Sequence, residues 1–217
     1  MLAEARATVG LKGPQAGEIP VVLVVDDDPD IRASLTDMFD SVGMRTQVYA
    51  STADLLGDTL PNGPSCLVLD LRLPGSSGLE LQTQLAHDGV DIPIIFITGH
   101  ADVPTSVRAM KAGALDFLSK PFREQELLDA VADALRRDGE RREGQRERDV
   151  VRDLARHLTA RETDVLRGVA RGLLNKQIAY ELGITEVTVK MHRSSAGKKL
   201  KSVSVADMVC KIKLLDL

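Results

Sequence analysis

Five side chains in the first 120 residues could together take up a phosphoryl group. Asp26 and Asp27 follow the apolar run Val21–Val25 in "VVLVVDDDPD". Asp70 closes "CLVLD" within "CLVLDLRLPGSSG", Thr98 closes "IIFIT" before "GH", and Lys120 follows "DFLS" in "DFLSKPF". Each of the five stands where a short apolar run ends. Clustered carboxylates repel one another unless a hard cation sits among them. Mg²⁺ (or Mn²⁺) suits such a set, because it prefers oxygen ligands and keeps several waters. The same cation would shield a carboxylate from an approaching phosphoryl group and leave it free to act as nucleophile, with Thr98 and Lys120 holding the phosphoryl oxygens. Asp28, placed directly before Pro29, reads as a helix cap. His100 reads as a loop residue, and Pro74, Gly75 and Gly78 as residues that shape the loop after Asp70.

These residues need a scaffold that brings four strand ends together. The short apolar runs predict strands over Val21–Val25, Arg45–Tyr49, Cys66–Asp70, Ile92–Thr98 and Asp116–Ser119. Between them, apolar residues at helical spacing predict helices over Pro29–Ser41, Thr52–Leu60, Gly78–His87 and Val103–Ala112, and another begins after Phe122. Strands that alternate with helices argue for a parallel sheet covered on both faces. In that architecture ligands gather at the carboxyl ends of the strands, where the five residues lie.

A length of 217 residues suits two domains. Residues 1–135 hold 9 Lys/Arg against 20 Asp/Glu, a net of −11, whereas residues 159–217 hold 11 against 6, a net of +5. An acidic body joined to a basic module suggests a cation-handling domain and a partner for polyanions. Residues 1–20 read as a flexible arm rich in Gly and Pro. Residues 21–135 read as the α/β domain, and 136–156 as a charged, solvated helical linker with Gly139 and Gly144 inside it. Residues 157–217 read as a helical domain with "TARETDVLRGVARG" opening on a capping box of Thr159 and Glu162. The only cysteines are Cys66 and Cys210; with no leader pattern and no membrane-length apolar stretch, they point to the reducing cytoplasm.

The ordered set of the Asp pair, "DLRLPG", "TGH" and "KPF" over about residues 20–138 resembles the receiver domain of two-component response regulators. Residues 157–217, through "LTARETDVL", "LNKQIAYELGITEVTVKMHR" and "KKL", resemble the LuxR-type helix-turn-helix of the NarL/FixJ family. The resemblance implies a flavodoxin-like, doubly wound five-stranded parallel sheet followed by an all-α four-helix module. It implies phosphorylation of Asp70 by a sensor histidine kinase, and metal binding by Asp26, Asp27, Asp70 and the carbonyl of Arg72. It makes Lys120, followed by a cis Lys120–Pro121 bond, the phosphate partner, and Thr98 with Phe117 the switch pair. It implies a homodimer through Val107, Met110, Lys111, Ala114 and Asp116.

For the helical module the resemblance implies a recognition helix over Thr185–Leu200 in the major groove of double-stranded DNA. Thr188, Lys190, Met191 and Ser194 would face bases, and Lys176, His192, Arg193, Lys198 and Lys199 would face phosphates. RNA polymerase is a further implied partner, and chemistry on the chain is limited to its own phosphotransfer and slow dephosphorylation. One departure stands out. Ala196 and Gly197 occupy positions where relatives usually carry bulky apolar residues, which predicts a loosely packed rear half of the recognition helix. That departure also keeps open an alternative in which the helical module acts on a protein partner without reading DNA. A phosphohydrolase of the haloacid-dehalogenase kind, which also uses an aspartyl nucleophile and Mg²⁺, is disfavoured because Pro29–Asp30 does not continue its motif.

Overall fold

The computed structural model describes residues 19–99 and 102–215. Most of the proposed arm and His100 therefore lie outside the described residues. In the first part of the chain the order is β1 (Val21–Val25), α1 (Pro29–Ser41), β2 (Arg45–Tyr49), α2 (Thr52–Gly57) and β3 (Ser65–Asp70), then β4 (Arg72–Leu73), β5 (Ser76–Ser77), α3 (Gly78–His87), β6 (Ile94–Thr98), α4 (Val103–Lys111) and β7 (Asp116–Ser119). Five strands form a parallel sheet in the order β2-β1-β3-β6-β7. The order reverses at β1, so a crevice opens between the carboxyl ends of β1 and β3.

Successive residues of β1 explain both layers. Val21, Leu23 and Val25 pack against Leu55, Leu81, Leu85 and Ala109 on one face. Val22 and Val24 pack with Leu35, Phe39, Leu127 and Val131 on the other. A strand buried on both sides reads as unbroken apolar sequence, as this one does.

Three details differ from the sequence expectation. Helix α2 stops at Gly57, because Asp58 is extended and its carboxylate accepts from the Tyr49 hydroxyl at 3.0 Å. Residues 72–77 form a two-residue antiparallel hairpin where only a loop was expected, with Gly75 at φ +80° in its turn. Gly78 is required by close approach: a Cβ there would lie 2.6 Å from the Asp70 carbonyl oxygen and 2.9 Å from the Phe96 ring.

Helix α5 (Glu124–Ala155) runs unbroken through the charged stretch. The expectation of a solvated linker fails at Asp138, whose side chain is fully buried. Its Oδ2 accepts from the Ser65 amide at 2.9 Å and from Arg142 Nε at 2.6 Å, and its Oδ1 accepts from Arg141. Arg142 also donates to the Asn62 carbonyl at 2.9 Å. The chain divides into two compact units, one ending at Arg142 and the other beginning at Glu143.

The second unit contains α6 (Ala160–Ala170), α7 (Asn175–Leu182), α8 (Glu186–Lys199) and α9 (Val205–Leu214) around a core that includes Leu166, Ile178, Val189, Leu200 and Ile212. Gly168 lets α6 and α7 meet, since a Cβ there would fall 2.7 Å from Ile178. The expected loose packing at Ala196 and Gly197 is not found. Both are buried, and the Met208 methyl from α9 stands where a residue-197 Cβ would be, 2.8 Å away. Among the described residues no helix is long and apolar enough to cross a membrane.

Candidate phosphoacceptor site and DNA-reading surface

The end of β1 delivers Asp26 into the crevice, fully buried, while Asp27 beside it is exposed. Asp26 Oδ1 accepts from the Asp28 amide at 2.9 Å, and Asp28 in turn caps α1 through the Asp30 amide at 2.9 Å. The Asp26 carbonyl accepts from Arg32 at 2.6 Å. Asp70, buried at the end of β3, accepts from the Arg72 amide through Oδ1 at 2.9 Å. Lys120 follows β7. Its amide donates to the Thr98 carbonyl at 2.7 Å, and the Lys120–Pro121 bond is cis. Its Nζ donates to Asp26 Oδ2 at 2.6 Å and Asp70 Oδ2 at 2.8 Å. Thr98 is buried at the end of β6.

The electrostatics are those of a site with too much negative charge. Burial raises the Asp26 carboxyl above its ordinary range, and the Lys120 ammonium and Asp28 amide only partly offset this. Burial also opposes charge on Lys120, but the Asp26 and Asp70 carboxylates outweigh it and hold the ammonium on. One carboxylate oxygen each from Asp26, Asp27 and Asp70 lie within 4.8 Å of one another. Three carboxylates against one ammonium leave two negative charges among oxygen donors alone. That set fits a hard divalent cation.

Phe117 on β7 is half-buried against Phe96, with ring centroids 6.3 Å apart. Beside it, Val107 and Met110 on α4 are 44% and 46% exposed, and Lys111 is exposed. Asp116 is half-buried, its Oδ1 accepting from the Phe117 amide. Ala114 is a correction. Only 7% exposed, it packs in the sheet core and offers a partner almost no surface. Val103, not anticipated, is 76% exposed and extends the Val107–Met110 stripe at helical spacing.

In the second unit, α7 and α8 are joined at Gly183, left-handed at φ +65°. Thr185 caps α8, the expected recognition helix, by accepting from the Thr188 amide. Lys190, Met191, Ser194 and Lys198 on α8 are exposed, as is Lys176 on α7. Thr188 is half-buried with its hydroxyl against that of Thr185. His192 is half-buried, and Arg193 is held against Asn175 Oδ1 at 2.7 Å. Lys199 is corrected: its ammonium donates to buried Glu162 at 2.7 Å and so is not free for a phosphate. Val187, exposed on the same face as Met191, was missed by the sequence reading. The signal for it was the four-residue spacing.

Glu162 closes the capping box on Thr159 and also accepts from Ser195 at 2.6 Å. Burial alone would raise its carboxyl, but Lys199, Ser195 and Thr159 together pull it from 4.5 down to about 2. A folded-state value below the unfolded one stabilises the fold above pH 4.5, and that stabilisation is lost as the pH falls through about 2. Urea denaturation should find Glu162→Gln less stable than wild type at neutral pH, with the gap narrowing below pH 4.5 and closing as the pH falls through about 2.

A family profile described as "Response regulator receiver domain" matches residues 22–132, and one described as "Bacterial regulatory proteins, luxR family" matches residues 156–212. The chain is 52% identical over 195 residues to "Nodulation protein W" of Bradyrhizobium diazoefficiens, covering 90% of this chain and 86% of that one. It is 43% identical over 189 residues to "Response regulator protein TmoT" of Ectopseudomonas mendocina, covering 87% and 86%. Among solved structures, the response regulator StyR superposes with a TM-score of 0.79 at 47% identity, over 91% of this chain and 99% of that one. The acidic crevice, the helix-turn-helix and these relatives agree: the chain belongs to the FixJ-like response regulators of the NarL family, in which a receiver is joined to a LuxR-type DNA-binding domain.

Proposed function

We propose that Asp70 takes a phosphoryl group from a sensor histidine kinase, and that the modified protein dimerises through its receiver to occupy a two-fold DNA site and act on RNA polymerase. The observation that carries this reading is the contact of Lys120 Nζ with both Asp26 Oδ2 and Asp70 Oδ2 at the mouth of the sheet. It joins a nucleophile, a metal-binding carboxylate and a phosphate partner at one point. The residues assigned to the metal are Asp26, Asp27, Asp70 and the Arg72 carbonyl, with Mg²⁺ as the ion (Mn²⁺ would serve). Bound there, the ion neutralises the carboxylates toward the incoming phosphoryl group.

In the transfer, an Asp70 carboxylate oxygen forms a bond to phosphorus while the phosphorus–nitrogen bond to the kinase histidine breaks. The imidazole leaves with the electron pair. Lys120 then follows the charge from the Asp70 carboxylate to the new phosphoryl oxygens. The Thr98 hydroxyl is drawn to the same oxygens, and Phe117 turns into the space it leaves. The face altered is that of Val103, Val107, Met110 and Lys111 on α4, with Asp116 on β7. Slow hydrolysis of the acyl phosphate resets the switch, which times the response.

On this reading residues 21–135 form the receiver, with residues 136–142 of α5 folded onto it, and the output domain begins near residue 157. Free Cys66, buried and with its thiol pushed up by burial, suits a reducing cytoplasm.

The face is tested by treating the full chain with acetyl phosphate and Mg²⁺ and reading mass by light scattering. Wild type should dimerise. Met110→Glu should accept the phosphoryl group equally and stay monomeric at least tenfold higher in concentration, since one buried like-charge pair costs several kcal/mol. Dimerisation of the phosphorylated variant at the wild-type concentration would contradict the assigned face.

A further inference from the structure

The exposed stripe of α8 contains two apolar side chains that packing does not explain. Val187 is 66% exposed and Met191 is 67% exposed. They are four residues apart, so they stand one above the other on one helix face. Lys190, Ser194 and Lys198 share that face, and all are exposed. The opposite face holds Val189 and Ala196, which are buried.

Solvent-facing apolar residues among lysines suit one occupant in particular. The major groove is lined with phosphate charge, and the only apolar group on its floor is the 5-methyl of thymine. Residues 159–217 carry a net charge of +5, and exposed Lys176, Lys190 and Lys198 supply cations around the apolar pair. A protein groove would bury the pair but would have to desolvate those ammonium groups, which disfavours it.

We propose that Val187 and Met191 are a specificity-determining pair that reads the 5-methyl groups of two nearby thymines in each half-site, with Lys190 alongside offering a donor to a base edge or phosphate. This rests on the DNA-binding reading of α8. It adds Val187, which the resemblance did not assign, and it names the base feature read. Thr188, whose hydroxyl is engaged by Thr185, is removed from the base-reading set.

The test uses the full chain, treated with acetyl phosphate and Mg²⁺, to enrich duplexes from a random-sequence library. Recovered half-sites should carry thymine at two positions no more than a few base pairs apart. Replacing either thymine by deoxyuridine removes only the methyl group and should weaken binding about fourfold, the value of one buried methyl-sized group. In Val187→Ala the penalty should vanish at one position and persist at the other, with the reverse pattern in Met191→Ala. Both side chains are exposed, so neither substitution disturbs the core.

Penalties that are absent in wild type, or that remain unchanged in both variants, overturn the inference while leaving DNA binding intact. Failure to enrich any duplex overturns the DNA-binding reading and the inference with it.

Discussion

Asp70→Asn should leave a folded protein that acetyl phosphate and Mg²⁺ neither modify nor dimerise. Intact-mass measurement should show one added phosphoryl group on wild type and none on the variant. Enhanced binding to an enriched duplex should be lost completely, not merely reduced. The substitution keeps the acceptor that holds the Arg72 amide, and Lys120 keeps its 2.6 Å contact with Asp26. It also removes one of three mutually repelling carboxylates. The fold therefore has little reason to suffer, and a loss of response reports chemistry. A phosphorylated Asp70→Asn protein, or one that dimerises on treatment, would show that the acceptor lies elsewhere. Lys120→Met is the informative companion, since it removes the ammonium but leaves the nucleophile. It should accept the phosphoryl group yet fail to couple it to dimerisation.

The acidic site was legible because its position follows from strand ends. Runs such as "VVLVV" and "CLVLD" declare buried parallel strands, and the first polar residue after such a strand has to emerge at the sheet's carboxyl edge. Asp26, Asp70, Thr98 and Lys120 are four instances of that rule, and the structure brings them together.

What was not legible depended on contacts between residues far apart in the chain. Ala114 follows α4 and reads as surface, but it packs into the sheet core. Gly197 looks like a packing defect until Met208 of α9 is brought against it. Lys199 reads as a phosphate ligand until Glu162, 37 residues earlier, takes its ammonium. In each case the partner was invisible, because contacts between elements distant in the chain have no local sequence signature.

The same blindness hid Asp138, where the second large effect is expected. Within "DALRRDGERRE" the pairs Asp133–Arg137 and Asp138–Arg142 have the same helical spacing and look alike. Only the fold separates them. Asp133 is half-buried with 37% of its side chain still exposed, so its ion pairs are worth under about 1 kcal/mol. Asp138 is fully buried and accepts from the Ser65 amide 73 residues away at the start of β3. Asp138→Ala would strand that amide, leave Arg142 without its counter-charge and leave Arg141 with Asp91 as its remaining carboxylate, at a cost of about 3–5 kcal/mol. Asp133→Ala should cost little.

Hydrogen exchange on the full chain can tell them apart. Peptides covering β3 should exchange far faster in Asp138→Ala, whereas those covering α6 to α9 serve as the internal reference. Helix α5 should fray past residue 136 in the same variant. Gly139 and Gly144 each disfavour helix by about 1 kcal/mol, and few apolar contacts are available there to compensate. Equal protection of β3 in the two variants would mean that the buried carboxylate does not tie α5 to the sheet. The charged stretch would then be the solvated helix its composition suggests.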